Sequence, residues 1–408
     1  MAFFDWFRRR SVRPGPPRSP RARVEKQTDH LTHFPAGPTR RSIGIARGYR
    51  FDFLGDPRIG RLTTDDGSPE RIVESSLPDL QTPDELASWI GITSAQLHWL
   101  TYQRDDTRSP HYHYFDVVKR SGGVRTLSAP RPMMAGCQRR ILSDLLNRLT
   151  PHPAAHGFVA GRSIATNAAP HVGRSVVVNI DLSDFFPSIT FPRVRGLFFS
   201  VGYNRLVATL LALLCTDRTR HRSLRGPTRP CWRAIGPHAL PQGACTSPAI
   251  SNLISRTLDR RLTGLGGSVG WTYTRYADDL TFSADVPVAD DVGYLLHRVR
   301  GITADEGFRV NESKTRVQRR GSRQTVTGLV VNDRVTIDRV AMRRLRAILH
   351  DVRQVGWSAA KREGHGAFEN HVRGWVAYAE SVDPVKGWKL RAALSKIEGW
   401  SGRTRPSQ

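Results

Sequence analysis

Cysteine is scarce in this chain: Cys137, Cys215, Cys231 and Cys245 are the only 4 in 408 residues, and no two stand at zinc-ligand or redox spacing. That spacing argues against a metal finger or a redox pair, and the thiols are expected to be reduced, as in a cytoplasmic protein. Long apolar runs are missing too. The longest, residues 206–215, is about half of the roughly 20 residues a membrane-spanning helix needs. The opening Met-Ala-Phe-Phe-Asp-Trp-Phe lacks the apolar core of a secretory signal, and there is no internal repeat. Acid is the third shortage: 36 Asp and Glu against 62 Lys and Arg leave a formal charge of +26. That excess goes beyond what solubility requires and implies a polyanionic partner, with nucleic acid favoured over an anionic membrane.

What is present has order. Residues 1–75 make a basic, Arg- and Pro-rich extension, with Pro14, Pro16, Pro17 and Pro20 close together, expected to be largely disordered. It is read as a solvated tail, with an RNA-binding arm as the alternative. Thr82-Pro83-Asp84-Glu85 carries the signature of a capped helix start, and a second helix is expected over 94–102. Residues 114–130 alternate around Ser121-Gly122-Gly123 and predict a β-hairpin. A helix is expected over 138–149, an apolar strand over 176–181, and mostly helix over 188–215. The basic, Pro-rich stretch 216–239 reads as an exposed loop. Ile250, Ile254, Leu258 and Leu262 then mark a core-facing helix stripe. After a hairpin over 271–283, the pattern predicts a helix near 289–305, short strands over 308–332 and a basic amphipathic helix over 337–352. On that last helix Arg339, Arg343, Arg344 and Arg346 oppose Ile337, Ala341, Leu345 and Ile348.

In a chain so poor in acid, Tyr276-Ala277-Asp278-Asp279 gathers two adjacent carboxylates at the tip of a hairpin. Asp181 closes the apolar strand 176–181, and neighbouring strands lie about 5 Å apart, so the two places can share metal ions. Hard divalent cations take such oxygen ligands, and a metal pair suits in-line phosphoryl displacement.

These residues resemble the reverse transcriptase family. Tyr-Ala-Asp-Asp at 276–279, Asp181 followed by Phe185-Phe186-Pro187-Ser188-Ile189, and Leu240-Pro241-Gln242-Gly243 with Ser247-Pro248 are similar to its three palm motifs. Asn167-Ala-Ala-Pro-His171, Val326-Thr327-Gly328 and the full Tyr-Ala-Asp-Asp-Leu-Thr-Phe-Ser run resemble the bacterial retron type. No maturase-like or endonuclease segment is seen, which weighs against a group II intron enzyme. Cys245 departs from the pattern, where retron enzymes more often place Pro.

The resemblance implies an α+β right-hand polymerase: fingers and palm over 76–332, the palm an antiparallel sheet packed on helices, and a helical thumb over 333–408. It implies RNA-directed DNA synthesis with two Mg²⁺ ions, Mn²⁺ being the alternative, and deoxynucleoside triphosphates. Asp181, Asp278 and Asp279 form the acidic set, with Asp181 and Asp278 as metal ligands, and Lys314 matches a lysine that protonates the leaving pyrophosphate. Lys119 and Arg125 would clamp the triphosphate. Asp184 would lie near it, although the residue type also suits a cap for a helix entered at Phe185. Phe186 would sit under the sugar, and Gln242 and Gly243 would contact template and nucleotide. Asn167, His171, Val326, Thr327 and Gly328 are assigned to RNA positioning or scaffold support. Implied partners are a cognate structured non-coding RNA, its branched RNA–DNA product and a separately encoded antiphage effector, with no membrane. The competing readings are another reverse-transcriptase lineage and an inert RNA-binding relative.

Overall fold

The computed structural model describes residues 66–103, 105–118, 122–223, 231–286, 288, 291–360 and 368–398. They fall into two compact units: one runs up to Thr150 and resumes over Phe186–Ile254, and the other is Pro151–Phe185 with Ser255 onward.

The second unit is built on α1 (Ile164–Ala168), β1 (Val176–Leu182), α2 (Arg256–Ser268), β2 (Thr272–Tyr276), β3 (Asp279–Ala284), α3 (Val292–Asp305), β4 (Val310–Arg319), β5 (Thr325–Val326), β6 (Leu329–Val330), α4 (Arg339–Ala360), α5 (Phe368–Val382) and α6 (Pro384–Glu398). Its four-stranded sheet runs β2-β3-β1-β4, with every pairing antiparallel. β1 is central, and its Val176, Val177, Val178 and Ile180 are buried, as a strand covered on both faces requires. The helices after residue 338 share a core with this sheet: Val177, Val326, Leu329, Leu345, Leu349, Val376 and Leu394 belong to one buried cluster. Arg339, Arg343, Arg344 and Arg346 lie on the exposed face of α4, opposite Leu345 and Ile348.

The first unit centres on helix Arg205–Cys215, whose residues from Val207 onward are all buried. The longest apolar run is thus a core helix, and among the described residues no helix is long and apolar enough to cross a membrane. Its last carbonyls, which a helix cannot satisfy internally, accept from side chains instead. The Gln103 amide donates to Leu213 O and Thr216 O at 3.2 Å each, and the Gln138 amide donates to Leu214 O at 2.8 Å. Helices Pro83–Ile90 and Ser94–Thr101 both begin with a full capping box, from Thr82 with Glu85 and from Thr93 with Gln96. The expected hairpin pairs Tyr112–Val118 with Val124–Pro130.

Four expectations are corrected. A helix, Pro69–Glu74, already lies within the extension read as disordered. The helix expected from 138 begins at Pro132, where the proline occupies the first turn at no cost. The segment 216–239 is not merely a loop. Strands Arg220–Ser223 and Cys231–Ala234 pair with each other, the second also pairs with Asp106–Thr107, and Asp217 and Arg220 are buried. No helix is entered at Phe185. Residues 183–188 form turns, because Pro187 disfavours helical backbone at Phe186, and the helix starts at Phe191. Asp184 therefore caps nothing: it is exposed, with φ 47°, and its carboxylate lies 3.8 Å from Arg309.

Candidate active site

The second unit brings the sequence-distant acids together. At the end of β1, Asp181 stands opposite Asp279 of β3 on one side and Asn311 of β4 on the other. Directly opposed residues of paired strands put their side chains on one face, about 5 Å apart at Cβ. Tyr276 pairs with Asp279, so Ala277 and Asp278 are the two central residues of the hairpin turn. The turn is locked to β1, since the Leu182 amide donates to Asp278 O at 2.9 Å.

Two polar side chains of β4 reach Asp181. Lys314 Nζ donates to both of its carboxylate oxygens, at 2.9 and 3.1 Å, and Asn311 Nδ2 donates to Oδ2 at 3.2 Å. Lys314 gets there through a bulge. The register jumps from Asn179 opposite Arg316 to Asp181 opposite Asn311, so residues 312–315 leave the regular ladder and re-aim their side chains.

The electrostatics of the acids follow from crowding. Burial, then the neighbouring Asp181 carboxylate, raises the Asp278 carboxyl above its ordinary range. Burial, then Asp278 and Asp181, pushes Asp279 up to about 8. Like charges that cannot all ionise alone are the condition a divalent cation relieves. Among the described residues no three His, Cys, Asp or Glu side chains converge as a closed metal site. A hard cation such as Mg²⁺ is commonly held by one or two carboxylates together with substrate phosphates and water. The donor set fits a hard cation held jointly with a substrate.

Residues that sequence reasoning missed support the turn from beneath. Arg275 and Asp259 are fully buried. Arg275 Nε and Nη2 donate to the two Asp259 oxygens at 2.7 Å each, and the Tyr273 hydroxyl donates to Asp259 Oδ1 at 2.9 Å. Arg275 Nη1 reaches the turn itself and donates to Ala277 O at 3.1 Å. On the outer edge of β2, the Arg275 amide donates to Ala154 O and the His156 amide to Arg275 O, both at 2.8 Å. A Cβ on Gly157 would stand 2.6 Å from Ala277 N, so the glycine is needed for close approach. The only available signal was a charge inside a strand otherwise made of β-branched and aromatic residues.

The retron-type elements also meet in this unit. Asn167 on α1 and His171 just after it are buried, and the His171 ring nitrogens bond to Ser283 Oγ at 2.7 Å and Thr274 Oγ1 at 2.8 Å. Val326 is buried, while Thr327 and Gly328, with φ 46° and 85°, form the two-residue turn between β5 and β6. The Thr327 hydroxyl donates to Ile164 O of α1 at 3.4 Å.

The remaining expected residues belong to the first unit. Arg125 pairs with Val117 in the hairpin, and Phe186 is half-buried. Gln242 O accepts from the Ser128 amide at 2.8 Å, and Gly243, at φ 133°, lies so close that a Cβ would meet Ser128 O at 2.8 Å. Lys119 lies outside the described residues.

A paired-acid hairpin set against a central strand defines a class of polymerase, and comparison with known proteins agrees. The family model described as Reverse transcriptase (RNA-dependent DNA polymerase) matches residues 117–337. The chain is 45% identical to the retron Mx65 reverse transcriptase of Myxococcus xanthus, covering 78% of this chain and 73% of that one. It is 42% identical to the retron Mx162 enzyme of the same organism, over 81% and 70% of the two chains. With the retron Ec86 reverse transcriptase of Escherichia coli it shares 33%, over 82% and 94%. The chain belongs to the retron reverse transcriptases, RNA-directed DNA polymerases, and it mixes helices with antiparallel sheet. Both the retron resemblance and the antiparallel palm-type sheet expected from sequence are thereby borne out.

Proposed function

We propose that this polymerase copies a cognate structured non-coding RNA into single-stranded DNA by two-metal nucleotidyl transfer at Asp181 and Asp278. The observation that carries the reading is the seating of these carboxylates at the joined ends of β1 and the β2–β3 turn, where burial, then the neighbouring carboxylates, raises Asp278 and Asp279 toward protonation. Mg²⁺ is the expected ion and Mn²⁺ the alternative. When bound, such ions supply positive charge to the attacking and departing oxygens of an in-line displacement.

The chain's own residues then divide the work. Asp181 and Asp278 hold the cations, and Asp279 supports them from the facing strand position. A primer hydroxyl attacks the α-phosphorus of a deoxynucleoside triphosphate, and pyrophosphate leaves. Lys314, half-exposed beside Asp181, is placed by family position as the general acid for that leaving group. By family position, Lys119 and Arg125 clamp the triphosphate with Asp184 near it. Phe186 excludes a ribose 2′-hydroxyl, and Gln242 with Gly243 contacts template and nucleotide. Fingers and palm over 76–332 and a thumb after 333 follow from the same reading, with the α4 arginines tracking duplex phosphates. Asn167, His171 and the Val326–Gly328 turn support the scaffold on which RNA is positioned.

By resemblance, synthesis starts from the 2′-hydroxyl of an internal guanosine and yields a branched RNA–DNA in the cytoplasm. There it serves antiphage defence with a separately encoded effector.

The test is direct. Asp278→Ala is expected to abolish primer extension on an RNA template with Mg²⁺, at least 10³-fold, and retained extension would refute the metal assignment. Nucleic acid copurified with the wild-type chain is expected to be a covalently branched RNA–DNA. A spliced lariat, or RNA alone, would point instead to an intron enzyme or an inert binder.

A further inference from the structure

The Asp259–Arg275 ion pair is a costly thing to keep in a core. Both side chains are fully removed from solvent. Replacing such a pair by apolar residues of similar volume is often neutral or stabilising, so its presence is not explained by stability. Its geometry points elsewhere. The Arg275 fork spends Nε and Nη2 on Asp259 and aims Nη1 at the carbonyl of Ala277.

Ala277 is the weak point of the acid-bearing turn. It is a non-glycine residue at φ 57°, a conformation that costs on the order of 1 kcal/mol or more unless its surroundings impose it. Being buried, it also needs its carbonyl satisfied. Arg275 supplies that partner from the strand that leads into the turn, and a leucine or methionine could not. Asp259, anchored on α2 and held also by the Tyr273 hydroxyl, fixes the guanidinium in plane. The guanidinium carbon lies over the Phe185 ring, 5.9 Å from its centroid, and that ring stacks on Phe308 at 5.5 Å.

We propose that Asp259 and Arg275 are positioning residues: through the bond to Ala277 O they set where the turn holds Asp278, and hence how tightly the enzyme takes its divalent cations. This rests on the metal reading above, and the experiment separates the two.

Mn²⁺ binding to the full chain, followed by the free-ion EPR signal without nucleotide, is compared with the Mg²⁺ concentration that gives half-maximal primer extension. Arg275→Lys keeps the charge on Asp259 but loses the fork. It is expected to melt within a few degrees of wild type, bind Mn²⁺ at least tenfold more weakly and need at least tenfold more Mg²⁺. At saturating Mg²⁺ its rate should climb back toward wild type, which a merely damaged core would not allow. The double variant Asp259→Met/Arg275→Met removes both charges and is expected to show the same loss. It decides the matter by the same two readouts if Arg275→Lys does not fold. Either folded variant with Mn²⁺ affinity and Mg²⁺ requirement within twofold of wild type overturns the proposal. Asp278→Asn is the control. If it loses Mn²⁺ while the Arg275 variants do not, the positioning role alone is wrong. If it binds Mn²⁺ like wild type, the metal reading itself has failed.

Discussion

Both ring nitrogens of His171 are engaged, one by Ser283 and the other by Thr274, and burial, with Arg174 and His156 nearby, pushes its pKa down to about 3. The folded chain therefore refuses a proton that the unfolded chain accepts below its ordinary value of 6.5. Its contribution to stability is complete above that value and is lost as pH falls toward 3, because the unfolded state then binds more protons. His171→Gln is expected to be less stable than wild type at pH 7. The gap should shrink by about 2 kcal/mol on going to pH 5, measured by urea unfolding. A gap that does not change with pH would mean that the imidazole is not buried neutral. At Phe186 the expectation concerns the sugar: Phe186→Ala should raise ribonucleotide relative to deoxynucleotide incorporation at least tenfold, and an unchanged ratio would remove it as the gate. At this scale the acids were legible because they sit in apolar, β-branched and aromatic company, at the end of one strand and the tip of a hairpin. Arg275 and Asp259 were not, since a charge in a strand or on a helix usually faces water and only the packed structure shows these two facing each other.

The β2–β3 turn depends on backbone fit as well as on side chains. Gly157 lets residues 154–157 run against β2, and an added Cβ would meet Ala277 N at 2.6 Å and Tyr276 C at 3.1 Å, atoms that cannot swing away. Gly157→Ala is expected to cost about 1–3 kcal/mol. Melting should fall by several degrees and primer extension by at least tenfold, and wild-type values for both would show that the turn is looser than this packing implies. Elements with strong local signals were readable in advance, including the two capping-box helices, β1 and the acid hairpin. Strands Arg220–Ser223 and Cys231–Ala234 were hidden because each is short, one pairs with a two-residue strand far away in sequence, and arginine and proline mask the pattern. The bulge at 312–315 was equally invisible, since its register is set by β1 and not by its own residues.

For the whole molecule, the charge of +26 makes a quantitative demand. If phosphates of RNA are the partner, counterion release should make the affinity collapse with salt, by about 10³-fold or more between 50 and 200 mM. Binding that is flat over that range, read by filter retention of a structured RNA, would assign the excess base to some other purpose. Composition alone made this demand legible. The chain path was not, since the acid-bearing unit is interrupted after Phe185 and resumes at Ser255.

That path has a cost during synthesis. β1 is complete at Leu182, yet its first neighbour is β3 at Asp279–Ala284 and its second is β4 at Val310–Arg319. At ribosomal speeds the apolar strand waits on the order of ten seconds with both edges bare. A nascent chain stalled in that interval is the form of this protein that most needs a chaperone.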